Sequence, residues 1–457
     1  MFLGIKNIHF VGIGGSGMCG IAEILHNLGF KVTGSDLSES ETVAHLRELG
    51  IPVFIGHSEK NLGDAEVLVK STAVPETNPE IQEGFRKKIP VIRRAEMLGE
   101  LMRLKEGIAV AGTHGKTTTT SMVATIMHFA KLDPTIIIGG RLSLIESHAK
   151  LGKSEFLVAE ADESDGSFLS LLPSIGIITN IDNDHLDFYE SFSKIKDAFI
   201  SFANNVPFYG FVCICLDCEN IQEILPHLTK FYITYGIETN ADFQARDIKF
   251  DYKSTTYNLY FKNELLGGIK LQVPGKATVL NSLAAIATSH ELGINFKTYS
   301  KGISKYQGLH RRMEFMGKCK GAMVFNDYGH HPTEVKVTLQ TFKQIKKNRL
   351  IAVFQPHRYS RTKLLLDDFG KSFYNADILY ITDIYPAGEK PIRGISGKLL
   401  AETVKKFGFK NIKFISDKNK LLKILIKTCQ PDDIILFLGA GDIWKVGLDL
   451  IDSKESK

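Results

Sequence analysis

The chain has 457 residues, of which 44% are hydrophobic, 23% charged and 10% aromatic; this excludes general disorder, a collagen repeat and a membrane bundle, and leaves room for about three domains. Lysine and arginine number 56 against 51 acidic residues, and a formal charge of +5 dispersed along the chain suits an anionic small molecule and argues against nucleic acid as a partner. The 40 glycines direct attention to turns where backbone must approach a phosphate.

Residues 1–10 lack the basic, apolar and cleavage regions of a signal peptide. No run of ~18 uncharged apolar residues occurs, so no membrane insertion and a cytoplasmic location are expected. The six cysteines form no disulfide framework. Cys213-x-Cys215-x-x-Cys218 has metal-like spacing, but Phe211–Cys215 reads as a buried strand in which cysteine is a small hydrophobe. Cys19 reads as a packed helix thiol.

In chain order, the first segment opens with the apolar run Ile8–Val11, a glycine turn and a helix to Leu28. Strands at Val32-Thr33, Val53–Ile55, Val67–Val69 and Val91-Ile92 follow, and strands alternating with helices imply a parallel, doubly wound sheet. Gly12-x-Gly14-x-x-Gly17 between strand and helix, with Asp36 ending the next strand, is a diphosphate-binding fingerprint. Alone it reads as a dinucleotide site; what it specifies is a diphosphate at a helix N-terminus, not nicotinamide. Arg103–Gly107 is the expected linker.

The second segment restarts with Ile108–Ala111 and a second glycine turn, Gly112-Thr113-His114-Gly115-Lys116-Thr117-Thr118, opening a helix over Thr119–Ala130. Backbone N–H groups of this shortened phosphate loop would cradle a nucleotide, Lys116 would meet the β/γ-phosphates and Thr117 would face Mg²⁺. Strands are expected at Thr135–Ile138, Phe156–Ala159, Ile175–Ile178 and Phe211–Cys215. Glu160, the first acid off the Phe156 strand, is the expected metal ligand among Glu160–Asp165. His185, amid carboxylates at another strand end, is either a ligand of a second metal ion or structural. Period-two alternation over Asp242–Val273 argues for an antiparallel insertion, ended by Pro274-Gly275 and followed by a helix over Leu280–Leu292.

The third segment begins near Arg311, with strands at Met323–Phe325, Leu350–Phe354, Ile378–Ile381, Ile412–Ile415 and Ile434–Leu438. Gln355–Arg358, Asp383–Tyr385 and Gly439–Asp442 fall at the C-terminal strand ends, the edge where open parallel sheets bind ligands. A dehydrogenase has no need for an ATP loop. An enzyme that holds a diphosphate-bearing substrate on one domain and activates it with ATP on another needs both turns.

These residues resemble the Mur ligases of peptidoglycan synthesis over essentially the whole chain. The likeness rests on His9–Met18, Gly34–Asp36, Arg94–Leu98, Gly112–Thr120, Glu160–Asp165, Asp327–Glu334 and Gln355–Thr362. It implies an α/β protein of three domains. These are a Rossmann-like UDP-substrate domain (1–106), a central P-loop ATP-binding domain with an antiparallel β insertion (107–310) and a Rossmann-like C-terminal domain (311–457) that closes on ATP and the amino acid. It implies that ATP phosphorylates the lactyl carboxylate of UDP-N-acetylmuramate and that the amine of L-alanine displaces phosphate. It leaves oligomeric state open.

By the same resemblance Gly14, Gly15, Ser16, Gly17 and Asp36 hold the UDP moiety, with Ser71 and Arg94 as further candidates. Gly112 to Thr118 bind ATP; Thr117, Glu160 and His185 hold Mg²⁺. Arg312 and Asp327 reach ATP on closure, and Tyr328, His330, His357, Arg358 and Arg361 form the L-alanine pocket. Lys116, His185, Arg312, Asp327 and His330 are the expected catalytic set. One departure stands out: where the family shows His-Asn and a second Asn, this chain has Ala277, Thr278 and Asn281. Asn281 keeps one adenine contact, and the loss of the other amide predicts weaker or rearranged adenine recognition. A carbamylated lysine cannot be placed; Lys194 and Lys196 do not match.

Overall fold

The computed structural model describes residues 4–142 and 147–453, and their strands form three sheets. The chain divides into two compact units, residues 1–247, 257–269 and 280–306 in one, and 248–256, 270–279 and 307–457 in the other. The first sheet and most of the second lie in the first unit, so the break expected near residue 107 falls inside it; strand residues of the second sheet within 248–256 and at 270–271, and the whole third sheet, lie in the second unit.

The first sheet is parallel, in the order β3-β2-β1-β4-β5, from β1 (Asn7–Val11), β2 (Lys31–Asp36), β3 (Val53–Ile55), β4 (Val67–Lys70) and β5 (Val91–Arg93). Ile8, Phe10 and Val11 are all buried, because helices cover both faces of a parallel sheet and leave no polar side for alternation.

The central sheet holds β6 (Glu106–Ala111), β7 (Thr135–Leu142), β8 (Ser147–Lys150), β9 (Phe156–Glu160), β10 (Ile175–Ile178), β11 (Phe211–Cys215), β12 (Tyr232–Gly236), β13 (Phe243–Asp251), β14 (Ser254–Phe261) and β15 (Glu264–Leu271). Its order is β15-β14-β13-β12-β11-β10-β6-β9-β7-β8. Only two residues join β13 to β14 and β14 to β15, a length that permits antiparallel pairing alone, so the expected insertion is present. The helix after it starts at Lys276, not at Leu280. Gly275, at φ +109°, completes the turn, and its carbonyl already accepts from Val279 N–H. The helix after the second glycine turn likewise starts early, at Lys116, because Gly115 in the left-handed region is its cap.

The third sheet is β16-β17-β21-β18-β19-β20, from β16 (Glu314–Cys319), β17 (Ala322–Asp327), β18 (Leu350–Phe354), β19 (Ile378–Ile381), β20 (Ile412–Phe414) and β21 (Ile434–Leu438). It is parallel except for β16, which the sequence reading missed. A register shift between Phe315 and Gly317 breaks the period-two pattern there. Phenylalanines 325, 342, 354, 369 and 373 fill the core on one face of this sheet. Cys213 and Cys215 are buried strand residues whose thiols burial pushes up, Cys215 to about 12, so both stay protonated. Cys19 is buried and pushed up to about 12 in the same way. No described helix is long and apolar enough to cross a membrane.

Candidate active site

The first glycine turn leaves β1 at Gly12, φ +80°, where an added Cβ would sit 3.1 Å from Ser71 Cβ. Gly14 N–H donates to Asp36 Oδ2 at 2.8 Å and Leu37 N–H to Oδ1 at 2.8 Å. Asp36 therefore fastens the turn in this conformation, with both oxygens engaged by backbone. The helix Ser16–Asn27 has no side-chain cap at Gly15, which leaves first-turn N–H groups as anion donors. The Ser16 side chain lies outside the described residues. Ser71 N–H bonds Val11 O at 3.0 Å. Arg94 packs on Gly17, where an added Cβ would meet its Cδ at 3.0 Å, and its guanidinium lies 3.9 Å from Asp162.

Beneath this turn lies a network that sequence reading missed. Glu80 is fully buried; Oε2 accepts from His9 Nε2 at 3.2 Å and Ser35 Oγ at 2.5 Å, and Oε1 from Asn61 Nδ2 at 2.6 Å and Ser58 N–H at 3.1 Å. His57 Nδ1 reaches Ser35 Oγ at 3.0 Å. Glu80 thus ties β1, the Ser35 position of β2 beside Asp36, and the loop after β3 together.

The second turn is built for close approach. At Gly112, φ +131°, a Cβ would collide with Thr179 Oγ1 at 2.0 Å; at Gly115 it would meet Asn281 Oδ1 at 2.6 Å. Asn180 pins the loop, accepting His114 N–H at 2.9 Å on Oδ1 and donating Nδ2 to His114 O at 2.9 Å. His114 Nε2 lies 3.1 Å from Asp182 Oδ2, and Asp182 N–H donates to Thr113 Oγ1 at 2.9 Å. Thr117 Oγ1 donates to Glu160 Oε2 at 3.1 Å, while Gly139 N–H donates to Oε1 at 2.8 Å. Burial nonetheless holds the Glu160 carboxyl above the ordinary glutamate value.

Lys116 Nζ donates to Gly112 O at 2.7 Å, Thr113 O at 3.3 Å and Glu163 Oε2 at 2.7 Å. Burial pulls its pKa down, but Glu163 and Asp162 outweigh that and it ends above the ordinary lysine value. His185, at φ +57°, places Nε2 3.7 Å from both Glu163 Oε1 and Asp184 Oδ2. Lys116, Thr117, Glu160, His185 and Asn281 are thus gathered around one loop. Glu163, unnamed in the sequence reading although it lies inside the acidic run, is the added member.

In the second unit, the strand ends of the third sheet gather the remaining candidates. Tyr328, His330, His357 and Tyr385 form a row of rings with centroid spacings of 5.4, 5.7 and 5.8 Å. Tyr385 was not expected as a site residue; it stacks on His357 with 9° between the planes, and its carbonyl accepts from Arg358 N–H at 2.9 Å. Arg358 sits at φ +68°, and Arg361 Nη1 lies 3.4 Å from His357 Nδ1. Arg312 approaches Glu334 at 3.4 Å and lies over the Tyr328 ring at 5.2 Å. Asp327 is buried, its oxygens accepting from Met313 N–H, Gly329 N–H (2.9 Å each) and Thr338 Oγ1 (3.3 Å), so in this conformation it shapes the loop instead of facing solvent. Burial lowers His330 and His357 to about 4 each, so both imidazoles are neutral near pH 7. His330 Nδ1 lies 3.1 Å from Tyr328 O, a contact that needs the proton on Nδ1 and leaves Nε2 an acceptor.

Comparison with known proteins places this arrangement. Residues 7–106 match the family model described as Mur ligase family, catalytic domain; residues 110–289 match the Mur ligase middle domain; residues 311–441 match the Mur ligase, glutamate ligase domain. The chain belongs to the Mur ligase family. The UDP-N-acetylmuramate–L-alanine ligase of Geobacter sp. (strain M21) is 53% identical over 461 residues and covers 100% of both chains. That of Geotalea uraniireducens (strain Rf4) is 52% identical over 452 residues, covering 99% of each. The crystal structure of the UDP-N-acetylmuramate–alanine ligase MurC from Thermotoga maritima matches with a TM-score of 0.82 and 30% identity over 98% of each chain.

Within this Mur ligase the donor set fits a hard divalent cation. Thr117 and Glu160 are hard oxygen donors side by side at the phosphate loop. The departure at Thr278 also has a structural form. Its buried hydroxyl gives its one proton to Pro274 O at 2.9 Å, whereas Asn281 sits against Gly115.

Proposed function

We propose that the protein is the ATP-dependent ligase that joins L-alanine to the lactyl carboxylate of UDP-N-acetylmuramate. The reading rests on one observation above all: two glycine turns on separate sheets, each opening a helix N-terminus, the second carrying Lys116, Thr117 and Glu160. The named function of the relatives supports the same substrates.

The chemistry explains the residue types. A carboxylate does not acylate an amine, because its leaving group would be oxide. Transfer of the γ-phosphoryl of ATP to a lactyl oxygen forms an acyl phosphate and releases ADP; attack by the alanine nitrogen then forms the amide and expels phosphate, with one proton lost from nitrogen. Lys116 and the loop N–H groups stabilise the charge spread over the phosphoryl oxygens. Thr117, Glu160 and His185 would hold Mg²⁺, which neutralises phosphate charge when bound. We assign Gly14–Gly17, Asp36, Ser71 and Arg94 to the UDP substrate and Asn281 to ATP.

Arg358 and Arg361 would pair with the alanine carboxylate through their planar forks. Neutral near pH 7, His330 keeps its one proton on Nδ1 toward Tyr328 O; its Nε2 accepts a hydrogen bond from the amine and aims the nitrogen lone pair. We place the domain borders near residues 107 and 310.

Purified protein with Mg²⁺, ATP and UDP-N-acetylmuramate is expected to release phosphate only when L-alanine is added. Release without the amino acid would make it a bare ATPase and sink the proposal.

A further inference from the structure

The ammonium of Lys116 has three N–H donors, and all three are taken. Two go to Gly112 O and Thr113 O, carbonyls of its own loop, at 2.7 and 3.3 Å. The third goes to Glu163 Oε2 at 2.7 Å, from a carboxylate 47 residues away in sequence and only 3% exposed. In this state no donor of Lys116 remains for a phosphate oxygen. The two carbonyls belong to Lys116's own loop, four and three residues away, whereas Glu163 comes from outside it. Glu163 is the exchangeable partner. It also has somewhere to go: Oε1 has no hydrogen-bond partner among the described residues, and His185 Nε2 lies 3.7 Å from it. Its backbone is held meanwhile, since Tyr189 Oη donates to Glu163 O at 2.6 Å, so a side-chain swing suffices.

We propose that Glu163 is a positioning residue that latches Lys116 at the phosphate loop and yields it to the triphosphate, swinging its carboxylate toward His185. The proposal rests on reading this loop as the ATP site. A latch has two consequences. It keeps a buried cation compensated while the site is empty, and it competes with ATP, because an anionic carboxylate must give up the cation that the β/γ-phosphates require.

The test is calorimetric ATP binding, with Mg²⁺, to the full chain and to Glu163→Gln, together with thermal unfolding and steady-state kinetics. Glu163→Gln is expected to bind ATP about 3- to 30-fold more tightly, less than the full worth of a charge-assisted hydrogen bond because the glutamine oxygen still accepts from Lys116. Its nucleotide-free form melts lower than the parent and gains more from ATP. KM for ATP falls in step with the tighter binding. Glu163→Asp keeps the charge on a shorter stem and is expected to fall between the two; it carries the test if the glutamine variant does not fold. Unchanged or weaker ATP binding in folded variants overturns the latch, and weakening relieved by excess Mg²⁺ would make Glu163 a cation ligand instead. If the unmodified chain binds no ATP, the site reading fails and the latch with it.

Discussion

Lys116→Ala is expected to lower turnover by about 10²–10³-fold or more, the loss found when one preorganised donor to a charged transition state is removed. Binding of UDP-N-acetylmuramate is expected to stay within about threefold. The reason is spatial. Lys116 opens the helix after β6 in the central sheet, whereas the turn assigned to the UDP group follows β1 in a different sheet. Alanine also strands Glu163, a buried carboxylate, without its counter-ion, and breaking such a pair destabilises by about 3–5 kcal/mol. A Lys116→Ala/Glu163→Gln double variant controls for that loss. Steady-state kinetics beside titration calorimetry checks both numbers; loss of UDP-substrate binding in a folded variant would contradict the assignment of the two turns.

Glu80→Ala is expected to destabilise the chain by about 3–5 kcal/mol and to raise KM for UDP-N-acetylmuramate. Removing this carboxylate takes a partner from His9, Ser35, Asn61 and Ser58 N–H at once, and His9 and Ser35 are fully buried. The loop after β3 and the base of Asp36 then lose their common anchor. The pH dependence follows from the direction of the shift. Burial pushes the Glu80 carboxyl up, but bonds from His9, Ser35 and Asn61 outweigh it and leave it below the ordinary glutamate value. A carboxyl depressed in the folded state contributes stability that is fully present above its unfolded value of about 4.3 and is lost as pH falls through the folded value. Unfolding followed by pH titration should show a stability loss below about pH 4.3 that is reduced in Glu80→Gln. An unaltered acid limb in that variant would show that Glu80 carries none of the linkage.

What the sequence disclosed and what it withheld divide along contact range. Both glycine turns are contiguous, and their demand for positive φ and close approach is written in consecutive residues; the structure places Gly12, Gly112 and Gly115 in that region. Apolar runs located nearly every strand, because parallel strands are buried on both faces. Helix starts were drawn late at Lys116 and Lys276, where a glycine cap lets the helix begin beside a polar residue. β16 was hidden by the irregularity at Gly317. The pairings that set the chemistry were the least legible. Glu163 meets Lys116 across 47 residues, and Glu80 meets His9 across 71. Tyr385 reaches His357 only because β18 and β19 are neighbours in the sheet. Asp36 was correctly singled out as the acid at the end of β2, but its oxygens serve the turn itself.

The decisive chemical step is activation of a carboxylate by ATP as an acyl phosphate. UDP-N-acetylmuramate labelled with ¹⁸O in its lactyl carboxylate tests it directly. With ATP, Mg²⁺ and L-alanine, each phosphate released should carry one labelled oxygen, and the amide product should retain the other. Unlabelled phosphate beside a labelled amide, or label appearing in AMP, would contradict it.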